Sequence, residues 1–487
     1  MSSKSTPPPA LSGRPSTLRD PVALGLLVLA MVLGTVVFVR LGEWSIWIDE
    51  AFTLNDSYWA EGRKNPLGYR LFGLFYRAMS DPAGGHPDEF TLRLLPAVLG
   101  WLGVPLTWWA FRRAAGDRAA AAAALLVAVS SWHLYWSQNA RFYTLSQDLV
   151  LLASGLGLRA LWGRSWTLLV LSLGCFTLAA LGHPTAALTA GGFLGGVFVA
   201  TALGCRPPGF TGLRAKILIA MAAGGLVVAA IWGPPILRMW GVAKGGGTPV
   251  HLILTAGFFV TPVLGAAALL GGYLALRRRD SFGVMALAML VLGMVGAAVV
   301  SLFARFTAQY LFAFLPWFAI LSTWYLRRPS QDDLHEQREP GPVAWGLLAL
   351  LTLSGLTTQF LYLTTRAGER PHWRAAYRYV WNERQDDDLI FGMAAPVAEY
   401  YLEPKKTAVS DVTAVSYLDQ WRARRPEHWA RTGRRAWFVL NPEELMDWPS
   451  KDRNDFREML SSDCRLVRAW PLYIESRDMS VEVYLRE

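Results

Sequence analysis

The sequence predicts a polytopic α-helical membrane protein of about eleven transmembrane helices, followed by a small α/β C-terminal exoplasmic domain. Three observations carry that expectation. Of the 487 residues, 53% are hydrophobic and only 17% charged, with a mean hydropathy of +0.26, which is too little charged surface for a soluble chain of this length. Between about residues 21 and 364, apolar runs long enough to cross a bilayer alternate with short basic clusters. From about residue 365 onward the chain is charged and reads as soluble.

Residues 1–20, rich in Ser, Pro, Lys and Arg, read as a disordered cytoplasmic tail. The run over 21–39 ends in Val-Arg-Leu-Gly-Glu with no small-residue cleavage site, so it is expected to remain as an anchor. Further spans are expected near 94–111, 118–133, 143–162, 165–182, 185–204, 216–237, 252–276, 282–303, 308–326 and 343–364. Alternate connections carry Arg112, Arg113 and Arg118, then Arg159 and Arg164, then Arg206, Arg214 and Lys216. The same side continues with Arg277, Arg278 and Arg279, then Arg327, Arg328 and Arg338. The opposite connections carry only Arg141, Arg238, Lys244 and Arg305. By the positive-inside rule the first set faces the cytoplasm. The multi-span module 21–364 then sits in an inner (plasma) membrane with its N-terminus cytoplasmic, and residues 365–487 are periplasmic or extracellular. The net charge of +10 therefore lies in short loops, and nucleic acid is not an expected partner. The 22 Trp suit two interfacial belts, and the three Cys have neither metal-ligand spacing nor a disulfide framework.

This orientation sorts the polar residues. Asp49, Glu50, Arg93, Asn139, Arg141, His183 and Arg305 all fall at outer ends of spans or in outer loops. An enzyme working at the outer face would collect its polar groups there. A transporter would place charges at mid-span, where each costs about 2.5–3.5 kcal/mol on insertion scales. Only Asp148 is of that kind, less than two turns from the outer end of its helix.

The first outer loop, 41–93, is the longest, and Asp49 and Glu50 directly follow its aromatic stretch Trp44-Ser-Ile-Trp-Ile48. A carboxylate at headgroup level is partly desolvated, which favours proton acceptance; acids also suit the start of an ordinary interfacial helix. Residues 67–79 have amphipathic spacing, with Leu67, Leu71, Leu74, Phe75 and Ala78 on one face and Arg70 and Arg77 opposite. Such a helix can rest on the membrane surface.

Five short pieces, taken in order, resemble the glycosyltransferase C superfamily, in the branch of the protein O-mannosyltransferases and the lipid A aminoarabinose transferase. Trp47-Ile48-Asp49-Glu50-Ala51 follows the first span, and Asn65-Pro66-Leu67-Gly68-Tyr69 precedes the amphipathic helix. Arg93-Leu94-Leu95-Pro96 opens the second span, and Ser137-Gln138-Asn139-Ala140-Arg141-Phe142-Tyr143 opens the fourth. Gln309-Tyr310-Leu311, with Pro316, falls in a late span. The chain departs from the family where Asn65-Pro66-Leu67 replaces the common His-Pro-Pro and Gln309-Tyr310 the frequent Arg-Tyr.

The resemblance implies transfer of a hexosyl or pentosyl group, as in the mannosyltransferases, from a polyprenyl-phosphate carrier to an acceptor hydroxyl outside the cytoplasm. The acceptor is a glycan, lipid or protein, and membrane lipid surrounds the site. The family's acidic motif falls on Asp49 as the base of an inverting reaction, with Glu50 beside it. No covalent intermediate is needed, so a Ser-His-Asp or Cys-His set is not expected. A cation is needed where charge builds on the leaving phosphate. Arg141 is the first choice, although an arginine at a span end also snorkels to headgroups. Arg93 would bind phosphate or pair with Glu50. Asn139 is counted with the substrate-binding residues. His183 would contact acceptor or metal, or neither, and Arg305 would replace the missing family arginine or anchor the interface. No cofactor is required. Some relatives use a divalent cation, but adjacent side chains such as Asp49 and Glu50 do not converge, and no metal site is assigned. The rival reading is a polyprenyl-linked sugar flippase or other multi-span transporter.

In the C-terminal part, residues 372–384 have helical spacing, as do 451–463. Residues 388–392, 436–440 and 481–485 read as strands. No glycine-rich phosphate loop, zinc spacing or nucleophile elbow is present. The domain is expected to help bind or select the acceptor. Tyr400, Tyr401, Trp421 and Trp429 are either stacking faces for sugar or ordinary core.

Overall fold

A computed structural model describes residues 20–59, 66–80, 87–244, 247–327, 339–386, 388–393, 395–406, 416–417, 435–446, 448–474 and 477–487. The helices of the first part are α1 (Pro21–Gly34), α2 (Ile48–Leu54), α3 (Pro66–Met79), α4 (Glu89–Ala115), α5 (Asp117–Ala128), α6 (Ser131–Ser137), α7 (Tyr143–Gly163) and α8 (Trp166–Gly182). They continue with α9 (Ala186–Ala202), α10 (Gly212–Lys244), α11 (Pro249–Val260), α12 (Pro262–Arg277), α13 (Ser281–Ser301), α14 (Leu315–Ser322) and α15 (Pro342–Leu363).

Among the described residues, four helices are long and apolar enough to cross a membrane by themselves: α1 with its terminal 3-10 turn, α4, α13 and α15. Two bent pairs, α5–α6 and α11–α12, bring the number up to six, and α8, α9 and the stretch Ala308–Ser322 are shorter apolar helices. Leu350, Leu353 and Phe360 of α15 and Leu269 and Tyr273 of α12 are exposed, as suits side chains that face lipid. The chain is an integral membrane protein.

The two bends depart from the straight spans expected over 118–133 and 252–276. The first pair turns by 62° and the second by 92°. Pro262 disfavours helical geometry at Thr261, which takes φ +62° and caps α12 by accepting from the Leu264 N–H at 3.4 Å. Ser130 caps α6 by accepting from the His133 N–H at 3.4 Å. Gln359 of α15 donates to the Ala128 and Ser130 carbonyls at 2.9 and 3.3 Å, covering backbone that the break frees inside the membrane. Residues 131–137 are thus a helix whose side chains from Trp132 to Ser137 are buried.

Basic side chains fasten one end of the bundle. Arg118, at the start of α5, pairs with Asp20 at 2.5 Å and with Glu339, joining the entries of α1, α5 and α15. The other end carries α2, α3 and the C-terminal part. α3 has the expected amphipathic character but a different buried face. Tyr69, Phe72 and Tyr76 pack inward at 4, 0 and 0% exposure, whereas Leu71 and Leu74 point out at 37 and 62%. Aromatic edges decide this: Phe142 receives Tyr69 and Phe72 in T-shaped contacts at 5.0 and 6.0 Å.

The C-terminal part contains α16 (Trp373–Glu383), β1 (Leu389–Gly392), α17 (Ala395–Lys406), β2 (Ser416–Tyr417), β3 (Ala436–Leu440), α18 (Pro442–Leu445) and α19 (Ser450–Asp463). It ends with β4 (Arg465–Trp470), β5 (Tyr473–Ile474), β6 (Arg477–Asp478) and β7 (Val481–Arg486). The main sheet has the order β2-β1-β3-β7-β4, with β1 parallel to β2 and β3, and β7 antiparallel to β3 and β4. One apolar core runs from α16, α17 and β7 into the loop helices, uniting Trp373, Tyr377 and Val483 with Ile46, Tyr76 and Phe142. Tyr400 and Tyr401 lie in this seam and are core. Trp421 and Trp429 lie outside the described residues.

Candidate functional site

α2 enters the bundle with Asp49 and Glu50 in its first turn, where the helix N-terminus favours negative charge. The two acids meet different fates. Glu50 is fully buried. Its Oε1 accepts from Arg93 Nε and the Ala140 N–H, both at 2.8 Å, and its Oε2 from Arg93 Nη2 and the Trp47 N–H, again at 2.8 Å. Arg370 adds a second guanidinium at 3.6 Å. Burial alone would raise the carboxyl pKa. The Arg93 charge and hydrogen bonds, the Arg370 charge and the Ala140 N–H overcome it and hold the value at about 2. Glu50, expected beside Asp49 as a catalytic group, therefore has no free lone pair facing solvent and acts as an internal counter-ion.

Arg93, expected to bind phosphate or to pair with Glu50, takes the second course. Its remaining donors go to the carbonyls of Leu41, Trp44 and Ser45 at 3.2, 3.0 and 2.8 Å, so the guanidinium is committed inside the protein.

Asp49 stays partly exposed. Across from it stands Arg141, carried by the turn between α6 and α7. That turn is fixed on three sides. Gln138 donates to the Val37 and Val39 carbonyls at 3.1 and 2.7 Å, Ala140 donates to Glu50, and Arg141 N donates to the Asn139 carbonyl at 2.6 Å. Asn139 is fully buried, with both side-chain amide atoms lacking hydrogen-bond partners, so its visible contribution is the turn. Arg141 Nη1 donates to Thr53 Oγ1 at 2.9 Å and to the Asp49 carbonyl at 3.3 Å. Burial works against its charge, but the Asp49 carboxylate and Tyr143, Tyr69 and Tyr310 hold its pKa above the ordinary arginine value. Its Nε is buried without a hydrogen-bond partner.

An aromatic wall completes the site. Tyr69 and Tyr143 stand near enough to Arg141 to feel its charge, and Tyr69 also feels that of Asp56. His183, which caps α8, lies 4.8 Å from the Tyr143 ring and stacks on Tyr310 at 6.0 Å. Its Nδ1 lies 2.6 Å from Thr185 Oγ1. His183 thus joins the Arg141 group through aromatic neighbours. Arg305 is exposed, next to Phe306, whose ring sits 4.9 Å from Tyr310, and thus lies at the rim of the same wall. Asp148 lies deeper, on α7 against α4. A Cβ at Gly103 would stand only 2.8 Å from its Oδ1, so glycine makes the room.

Tyr69, Asp56, Thr53 and Arg370 were not singled out from sequence. The spacing of Tyr69, Phe72 and Tyr76 was a usable signal for Tyr69; nothing local marks Arg370. Among the described residues no three His, Cys, Asp or Glu side chains come together as a metal-binding group.

The broken helices, the acid-bearing first connection and the mixed domain at one end define the class: a polytopic helical membrane protein whose fold is shared by solved structures of other proteins. The particular structures it resembles include ArnT from Cupriavidus metallidurans bound to undecaprenyl phosphate, with TM-score 0.54 and 14% identity over 95% of this chain and 97% of that one. A second is the oligosaccharyltransferase of Archaeoglobus fulgidus, with TM-score 0.51 and 13% identity over 88% of this chain and 70% of that one. Likeness at such identity is likeness of fold. No family model and no curated protein sequence matches the chain.

Proposed function

We propose that the protein moves a sugar from a polyprenyl-phosphate carrier to an acceptor hydroxyl on the exoplasmic side of the membrane, with inversion at the anomeric carbon. The observation that supports this most is a guanidinium, Arg141, fastened beside a partly exposed acid by bonds to the Asp49 backbone carbonyl and Thr53 Oγ1, at the end of the bundle bearing the C-terminal domain. In this reading Asp49 accepts the acceptor hydroxyl's proton as the new C–O bond forms. The bond from the anomeric carbon to the phosphate oxygen breaks on the opposite face, and the phosphate leaves with the electron pair. Arg141 stabilises the charge that builds there. Thr53 Oγ1 and the Asp49 carbonyl keep the guanidinium in place. ArnT and the archaeal enzyme AglB, both of this fold, are seen with undecaprenyl phosphate and dolichol phosphate respectively, which supports a lipid-phosphate donor here. The orientation is the one that the positive-inside rule gives to the basic connections of the sequence.

The test is incubation of purified protein with a panel of polyprenyl-phosphate sugars and acceptors, with mass spectrometry of the released carrier. Wild type is expected to release carrier phosphate with at least one donor. Asp49→Asn should lower the rate by about two to four orders of magnitude, the range of general-base catalysis. Equal rates in the two proteins would remove Asp49 from the chemistry.

A further inference from the structure

The segment that delivers Asp49 is held from two sides, by Arg93 of α4 and by the C-terminal domain. Arg374, in the first turn of α16, donates its backbone N–H to Ser45 Oγ at 3.1 Å and its Nη2 to the carbonyls of Gly42 and Trp44 at 2.8 and 3.2 Å. Its Nε donates to Glu89 at 2.9 Å, where the Tyr401 hydroxyl also donates at 3.0 Å. The same Tyr401 oxygen accepts from the Ile46 N–H at 2.7 Å. Trp47 follows, and Arg370 lies 5.6 Å from its ring and 4.7 Å from Tyr135 while approaching Glu50. Gly368, at φ +63°, presses so closely on Trp44 that a Cβ there would stand 2.6 Å from the indole. Residues 42, 44, 45 and 46 thus each touch the domain by a hydrogen bond, and Asp49 lies one helical turn beyond. The side chains concerned are partly or fully buried, so water competes little for these bonds.

We propose that the C-terminal domain positions Asp49, with Arg374 and Tyr401 as the positioning residues, in place of the acceptor-selecting role its sequence suggested. The kinetic consequence rests on Asp49 being the base; the structural one does not. A carboxylate displaced by an ångström loses rate without losing substrate affinity. A domain that selected acceptor would, when disturbed, raise the acceptor's KM and spare kcat.

The experiment uses the full chain in nanodiscs, as wild type, Arg374→Ala, Arg374→Lys and Tyr401→Phe. Amide hydrogen exchange is followed by mass spectrometry over 41–54, with β3, β7 and α7 as internal controls. Arg374→Ala is expected to speed exchange over 41–54 by about tenfold, as local release of a few hydrogen bonds does, with the controls unchanged. Its kcat should fall by about ten- to a hundredfold, with both KM values within about threefold of wild type. Arg374→Lys and Tyr401→Phe should lie between the two. Unchanged exchange over 41–54 in Arg374→Ala would overturn the proposal, and so would a raised acceptor KM at intact kcat. If no donor reacts with wild type, the exchange result alone decides, so failure of the transferase reading is distinguishable from failure of this one.

Discussion

At Glu50 four hydrogen bonds and two guanidinium groups meet on one carboxylate. Its depressed pKa is a stability statement. A carboxyl held at about 2 against an ordinary value of 4.5 stabilises the fold above the ordinary value and loses that contribution as pH falls toward 2. From this group, thermal stability should be flat across neutral pH and fall once the medium is more acidic than about pH 4.5. Glu50→Gln leaves Arg93 and Arg370 buried around a neutral amide and should cost about 3–5 kcal/mol, the range for breaking one partner of a buried pair. Unfolding in detergent across pH 3–8 measures both. A variant as stable as wild type, with the same acid limb, would contradict the assignment. The adjacent pair also shows what sequence could not carry: Asp49 and Glu50 have identical local credentials. Only the distant partners Arg93, Ala140 and Arg370 separate the exposed acid from the sealed one.

Among the elements, the α11–α12 bend stores strain at a named residue. Thr261 takes φ 62°, ψ 142°, a region that costs a β-branched residue about 1–3 kcal/mol. Its hydroxyl offsets part of this by capping α12. Thr261→Gly relieves the strain and gives up the cap, so its unfolding midpoint should rise above that of wild type. Thr261→Ala keeps the strain and loses the cap, so its midpoint should fall. The reverse order would show that the bend is not set there. The bend itself was hidden in the sequence because hydropathy reports apolar length and is blind to direction. Only Pro262 marked the place. The same limit explains α3. Its helical period was plain, but which face packs depends on Phe142, some seventy residues later, and that aromatic contact outweighed the leucines' apolarity.

Across the whole molecule, a hydrocarbon slab selects apolar runs of about 20 residues, and α13 and α15 begin and end close to where their apolar runs do. Of the candidate site, Asp49 and Arg141 were legible from the ordered pieces that carry them. His183 was legible as an unusual polar residue at a span end. The network that aims them was not, because Arg370, Arg374 and Tyr401 come from more than 300 residues downstream of the loop they hold. In the proposed reaction two tasks fall to two side chains: Arg141 would hold the carrier's phosphate and Asp49 would serve the transfer. Native mass spectrometry of the purified protein with undecaprenyl phosphate separates them most directly. The expected result is a one-to-one adduct for wild type and Asp49→Asn, and for Arg141→Gln an affinity lower by about tenfold or more, as for loss of a charge-assisted phosphate contact. Equal binding by Arg141→Gln, or loss of binding in Asp49→Asn alone, would contradict the account.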